Sequence, residues 1–566
     1  MRRALVLWLA PLLVCGADAD LILHHGKIIS VDAKFSIADA VAIHSGKITA
    51  IGDDATVLQA ERGPHTQVID LHGRTVLPGL IDSHAHPLEA GLSEFRRRLP
   101  RLDSFAAIQA FIRDQAARTP KGGWIVVPRT FPTRLKEMRM PTLEVLDVAP
   151  DHPVLFDASY VVVVNSLGLK LSHIDRDTPD PPGGVIVKDQ NGEPNGILRH
   201  AESLVTRDET NAPFTEAEKL EALENQLRHY VEAGLTAIGD RGVQDEEIAL
   251  YRRLKQQNRL PLRVVMTWLP HVPGAPQNLV DKIRSTDFTT GMGDSWLKFG
   301  AFKQTLDGGM TIGTAYQRQP YGAFGRQLYG ITNPDDRGQL FIPPARLLEI
   351  MLAARAKGWQ VTTHDQGGGA VDNFLDCMEA LDRDQPIAPS RSHLIHASFQ
   401  SPAAIARMKR LGILADVQSP WLYKDAPALE QVFSYEGMRY FFPLRDYVDA
   451  GIITALGSDH MIGWDKNQAV NSYNPFLSLW IAVARKTDRG RVLHPEERVT
   501  RQEALKMHTI WAAYLQFAEK ERGSLEPGKL ADLVVIDRDY LTCPEDEIKD
   551  IEPVMTVIDG KVVYRR

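Results

Sequence analysis

Between residues 20 and 76, short apolar clusters alternate with Gly and Asp turn signals, as in LILHHGKIISVD, DAVAIHSGKITAIGD and TQVIDLHGRTVLPG. Brief apolar runs closed by turn residues predict β-strands. The C-terminal stretch has the same texture in GSLEPGKLADLVVIDRD and PVMTVIDGKVVYRR. Residues 20–76 and 517–566 are therefore expected to meet in one small composite β-sandwich domain, flanking a different middle at 77–516.

In that middle, helical periodicity and short apolar strands follow one another in a fixed order. FTEAEKLEALENQLRHYVEAGLTAIGD opens with Thr215 and Glu218 spaced as a capping box, continues as an amphipathic helix and stops near Gly234. A short strand then ends at Asp240. PARLLEIMLAARAKGWQVTTHD runs helix, Gly358, strand, His364. SPAAIARMKRLGILADVQ starts with Ser401 as N-cap and Pro402 at N1, breaks at Gly412 and ends at Gln418. PLRDYVDAGIITALGSD breaks at Gly451 and delivers Asp459. A helix-Gly-strand unit repeated without hairpins means parallel strands joined by crossovers. The predicted class is α/β, a (β/α)8 TIM-like barrel. A doubly wound open sheet is the weaker alternative, because its Gly-rich phosphate loop is missing. Residues 99–200 fit the repeat poorly and carry DTPDPPGGVIVKDQNGEPNG; they are expected to form an inserted subdomain covering the barrel mouth.

The 566 residues suggest two or three structural units, and 44% hydrophobic with 24% charged residues is an ordinary globular composition. A formal charge of −7 without a strong basic cluster argues against nucleic acid as the main partner. Cys15, Cys377 and Cys543 make neither a disulfide framework nor a CxxC metal motif. Arg2 and Arg3 precede an apolar run from Ala4 to Val14 and an A-x-A site at Ala17-Asp18-Ala19, so residues 1–19 read as a cleavable signal peptide. That run is too short to span a bilayer. The mature protein is expected to be exported, periplasmic or secreted, with a small-molecule substrate and no membrane attachment once the signal is removed. Its oligomeric state, homo-oligomer included, stays open.

Polar residues recur where the apolar strands end. In VLPGLIDSHAHP, His84 and His86 occupy positions i and i+2, which share one face of a strand. Lys303, His364, His396 and Asp459 occupy comparable places. Taken singly, each has an ordinary explanation: a lone histidine is commonly structural, and an aspartate before a helix is commonly an N-cap. Together the four histidines and Asp459 form a donor set suited to Zn²⁺ or a similar divalent ion at the C-terminal rim of a barrel. His393 lies three positions before His396 and is expected on the opposite face, which leaves His396 as the candidate. WLKFGAFKQTLDGG offers two lysines, Lys298 and Lys303, on opposite faces. A buried lysine with a lowered pKa can take up CO₂ as a carbamate, an anionic oxygen ligand for two metals, but spacing does not choose between these two lysines.

LPGLIDSHAH, GGVIVKDQNGEPNGIL, GAFKQTLDGG, VTTHDQGG, HLIHAS, ALGSDH and GSLEPGKLADLVVID occur in this order along essentially the whole mature chain. In that order they resemble the amidohydrolase superfamily, specifically its YtcJ-like branch of amidohydrolase family 3. The resemblance implies a metal site of His84, His86, carboxylated Lys303, His364, His396 and Asp459, holding one or two divalent ions, zinc first among them. It selects Lys303 over Lys298. It further implies hydrolysis of an amide-like, non-peptide C–N bond by metal-activated hydroxide. Asp459 would be the general base, and His396 or His364 would polarise the substrate where one metal is bound. Two departures stand out: Ser159-Tyr160 where the branch often has Gly-His, and His364-Asp365-Gln366-Gly367-Gly368 where it usually reads His-Ala-Ile-Gly-Asp. A lactonase, esterase or metal-assisted isomerase on the same site is the alternative, and a non-catalytic small-molecule binding protein a more distant one.

Overall fold

A computed structural model describes residues 18–207, 213–272 and 277–566. The expected signal segment lies outside the described residues up to position 17. Ala19 is already packed, with its N–H donating to the Glu61 carbonyl at 2.8 Å and its carbonyl accepting from the Thr66 hydroxyl at 2.6 Å. Among the described residues, no helix is long and apolar enough to cross a membrane.

The central sheet has eight parallel strands in sequential order: β1 (Leu80–Ala85), β2 (Leu235–Val243), β3 (Arg263–Trp268), β4 (Leu297–Thr305), β5 (Val361–Asp365), β6 (His393–His396), β7 (Leu414–Gln418) and β8 (Thr454–Gly457). The crossovers follow the local signals. Thr215 and Glu218 form the capping box that opens the helix Glu216–Glu232. Ser401 accepts from the Ala404 N–H at the start of Pro402–Leu411. That helix ends at Gly412 with φ 67°, and Leu444–Ala450 ends at Gly451 with φ 76°, left-handed caps that favour glycine.

The ring closes where β8 meets β1. Ala85 bridges His460 in parallel register. The His86 N–H donates to the His460 carbonyl at 2.8 Å, and the Asp459 N–H donates to the His84 carbonyl at 2.7 Å. The expected (β/α)8 barrel is thus the observed fold, and the backbone of the first and last candidate site segments closes it.

Two further sheet systems flank the barrel. The N-terminal strand Thr75–Pro78 pairs antiparallel with Leu533–Ile536, joining both chain ends in a six-stranded sheet. That sheet shares an apolar core, Leu23, Val41, Ile43, Val535 and Val557 among it, with a four-stranded sheet of N-terminal strands. Between β1 and β2 a five-stranded sheet is inserted, including Val154–Asp157, Val161–Val164 and Pro194–Arg199. Arg263 on β3 links barrel to terminal domain through a buried two-bond ion pair with Asp532, at 2.6 and 2.9 Å.

Candidate metal centre

β1 delivers His84 from its interior face and His86 one residue beyond its end. The shared-face expectation is met: the two Nε2 atoms lie 3.2 Å apart. At the end of β8 the chain turns left-handed, Asp459 having φ 55°. This places Asp459 Oδ1 3.2 Å from His84 Nε2 and 3.3 Å from His86 Nε2. The Trp421 indole N–H donates to Asp459 Oδ2 at 2.9 Å, so the carboxylate is held from both sides.

The other candidates converge on the same cavity, whose volume is about 180 Å³ and whose lining includes all six. The rings of His86, His84, His396 and His364 follow one another with centroid separations of 5.1, 5.3 and 4.4 Å. Lys303 projects inward from β4 and donates to the Arg241 carbonyl at 2.7 Å. Lys298, on the other face, lies 3.7 Å from Glu521 away from the cavity. The structure therefore makes the choice between the lysines that spacing left open.

His393, expected on the face opposite His396, is fully buried and aligns through Thr362 with Lys303 on the inward face of the barrel. The departure is at His396: it has φ 69° and Ala397 φ 48°, so the strand leaves extended geometry there and the alternation rule lapses. His396 reaches the cavity.

Several supporting residues carried no signal in the strand-end pattern. Buried Asp307 accepts from the Gln366 and Gly367 N–H groups at 3.0 and 2.7 Å and lies 3.1 Å from His364 Nδ1. A carboxylate only accepts, so the His364 proton sits on Nδ1 and Nε2 is available to a ligand. Beneath the cavity, Arg241 pairs with Asp416 at 2.9 Å, both buried, and Asp416 accepts from the Ser83 hydroxyl at 2.5 Å. Asp82 accepts from the backbone N–H groups of His84 and Ser458, both at 3.0 Å, tying β1 to β8. Tyr160 enters from the inserted sheet with its ring 6.0 Å from that of His364. A buried acid in a turn, as in TLDGG, is the one sequence cue that could have found Asp307.

Electrostatics match a cation-binding centre. Burial pushes the Asp459 carboxyl up, but His84, His86 and His396 outweigh it and hold the group well below the usual carboxylate range. Burial drives His84 and His396 well below the ordinary imidazole value. His86 is also penalised by burial, yet its contact with Asp459 raises it. Burial brings Lys303 down to about 8. Donor chemistry and spacing also fit a metal. The point equidistant from His84 Nε2, His86 Nε2 and Asp459 Oδ1 lies about 1.9 Å from each, near the roughly 2.0–2.1 Å of a zinc–imidazole bond.

A parallel barrel bearing such a donor cluster at its C-terminal rim is the architecture of a metal-dependent hydrolase. The amidohydrolase family matches residues 67–564, and the chain belongs to that family. It is 30% identical over 562 residues to the N-substituted formamide deformylase of Arthrobacter pascens, covering 97% of this chain and 98% of that one. It is 27% identical over 567 residues to the putative amidohydrolase YtcJ of Bacillus subtilis (strain 168), with 96% and 99% covered. An uncharacterized metal-dependent hydrolase from Pyrococcus horikoshii OT3 superposes with a TM-score of 0.68 at 21% identity, covering 93% of this chain and 99% of that one. The protein is a YtcJ-like amidohydrolase, a metal-dependent hydrolase of carbon–nitrogen bonds other than peptide bonds.

Proposed function

We propose that the protein hydrolyses an amide-like C–N bond of a small molecule, N-substituted formamides included, at the rim cavity. The observation that carries this reading is the meeting of His84 Nε2, His86 Nε2 and Asp459 Oδ1 within 3.3 Å. The formamide deformylase relationship supports the bond type. His84, His86 and Asp459 would hold a divalent ion, zinc by donor chemistry. His364, His396 and a carboxylated Lys303 would complete a site for one or two ions, and the burial of Lys303 supports the neutral amine that carboxylation requires.

When bound, the metal supplies Lewis acidity and brings the pKa of water to about 7. The chain's own groups do the rest. Asp459, kept ionised by the neighbouring imidazoles and oriented by Trp421, takes a proton from the attacking water and passes it to the departing nitrogen. Tyr160, whose hydroxyl burial keeps neutral, lines the cavity and would donate to the carbonyl oxygen as negative charge gathers there. Phe131, Trp421 and Tyr160 wall the cavity in which this occurs.

The test is a panel of N-alkylformamides, N-acylated amines, aryl esters and lactones with zinc-loaded protein. Turnover confined to esters or lactones would replace the amide reading. Asp459→Asn with metal retained should lower kcat by about 10²–10⁴-fold; near-native turnover would rule out its role as base. We further infer export, from the N-terminal segment alone. N-terminal sequencing of the secreted or periplasmic protein should begin at Asp20, and a retained Met1 would refute it.

A further inference from the structure

A second cavity, of about 820 Å³, lies outside the catalytic one. The two meet at Arg129, whose side chain lines both. Elsewhere two aromatic side chains and a guanidinium stand between them. Phe131 and Trp421 face the catalytic side, with ring centroids 5.4 Å apart. The Arg134 guanidinium, on the outer side, lies 5.2 and 5.0 Å from those two rings.

Seven Lys and Arg and four Asp and Glu side chains line the outer cavity, Asp465 and Asp488 among the acids. Five of the seven cations are committed. Arg98 pairs with Glu94, Arg101 and Lys136 with Asp103, Arg129 with Glu89 and Asp157, and Arg134 with Asp425. Lys424 and Arg489 have no ion pair within 4.0 Å with any described carboxylate. Lys424 is half-buried, its ammonium is 5.3 Å from the Tyr423 ring centroid, and Asp488 is its main compensating charge, at longer range. A desolvated ammonium without a direct counter-charge is costly unless a ligand supplies one.

We propose that the outer cavity is the subsite for a carboxylate at the far end of the substrate, gripped by Lys424 with Arg489 at its rim. The substrate class is then an N-acyl compound with an apolar or aromatic middle, packed against the Phe131–Trp421 partition, and a terminal acid. This rests on the hydrolytic reading for the scissile bond but not for the anion itself, and two measurements separate them. In calorimetric titration, 4-phenylbutyrate should bind at least about tenfold tighter than 4-phenylbutan-1-ol, its neutral and unhydrolysable counterpart. Lys424→Met should erase the difference, and Arg489→Gln, at an exposed position, should reduce it. Equal binding of acid and alcohol overturns the subsite. So does a carboxylate preference untouched by both variants, because it would then arise at the metal.

In turnover, N-acetyl-4-(aminomethyl)benzoate, whose ring lies between the scissile amide and the acid, should exceed its methyl ketone analogue in kcat/KM through KM, with Lys424→Met removing the advantage. Turnover without preference for the acid overturns the subsite and leaves C–N hydrolysis standing. Lys424-dependent binding of the acid with no turnover of any amide keeps the subsite and overturns hydrolysis.

Discussion

Asp307 shows how one residue controls another it does not adjoin in sequence. Its carboxylate accepts from two backbone N–H groups and faces His364 Nδ1. Asp307→Ala should therefore let the imidazole rotate and lower metal affinity about 10–100-fold, read by chelator competition; unchanged affinity would remove Asp307 from the site. His508 is a structural counterpart. Its Nδ1–H donates to the Ile81 carbonyl at 3.0 Å, Nε2 lies 2.7 Å from the Ser478 hydroxyl, and burial lowers its pKa to about 4. The folded value lies below the unfolded 6.5, so between them the unfolded chain binds the extra proton. Its contribution is complete above pH 6.5 and is lost as pH falls toward 4, by on the order of 3 kcal/mol. Denaturation curves across that window should be steeper in pH for the native protein than for His508→Gln, and equal slopes would refute the assignment.

At the scale of elements, the short turn between Val154–Asp157 and Val161–Val164 carries the inserted sheet into the barrel mouth. Ser159 has φ 73°, its N–H donates to Asp157 at 2.6 Å, and Arg129 ties Asp157 to Glu89 on the helix after β1. This non-glycine left-handed residue is held by its surroundings, and Tyr160 follows it directly into the cavity. Tyr160→Phe should leave metal content intact and lower kcat about 10²–10³-fold with little change in KM; a loss confined to KM would make the hydroxyl a binding group only. The sequence marked Ser159-Tyr160 as a departure among groups expected to face substrate, and both residues line the cavity. Alternation could not bring His393 and His396 to one side, because the backbone departs from a strand at His396. Helix caps, by contrast, were legible, since Thr215, Ser401 and Gly412 act within a few residues of themselves.

Across the whole molecule, the barrel, the inserted sheet and the terminal sheets are joined by a few buried polar links. Arg263–Asp532 is the clearest, with side chains 0% and 2% exposed and Asp532 also accepting from the Asp559 N–H at 3.0 Å. Removing one partner strands a buried charge. Asp532→Ala should cost about 3–5 kcal/mol in denaturant unfolding, whereas a loss below 1 kcal/mol would show that the link contributes little. Replacing both partners with apolar residues should recover much of that loss.

The amino-acid sequence determined the order of elements, the barrel class and the identity of the residues at the strand ends. Those follow from periodicity, capping and turn chemistry, which act over a few neighbouring positions. Which atoms meet was decided by tertiary structure alone. Ser83 and Asp416 stand 333 positions apart yet lie at 2.5 Å beneath the site. Trp421 reaches Asp459, and Lys303 rather than Lys298 faces the cavity. Closing β8 onto β1 brings these groups together, and no short-range rule encodes the closure, because its hydrogen bonds join the first and last strands of the ring.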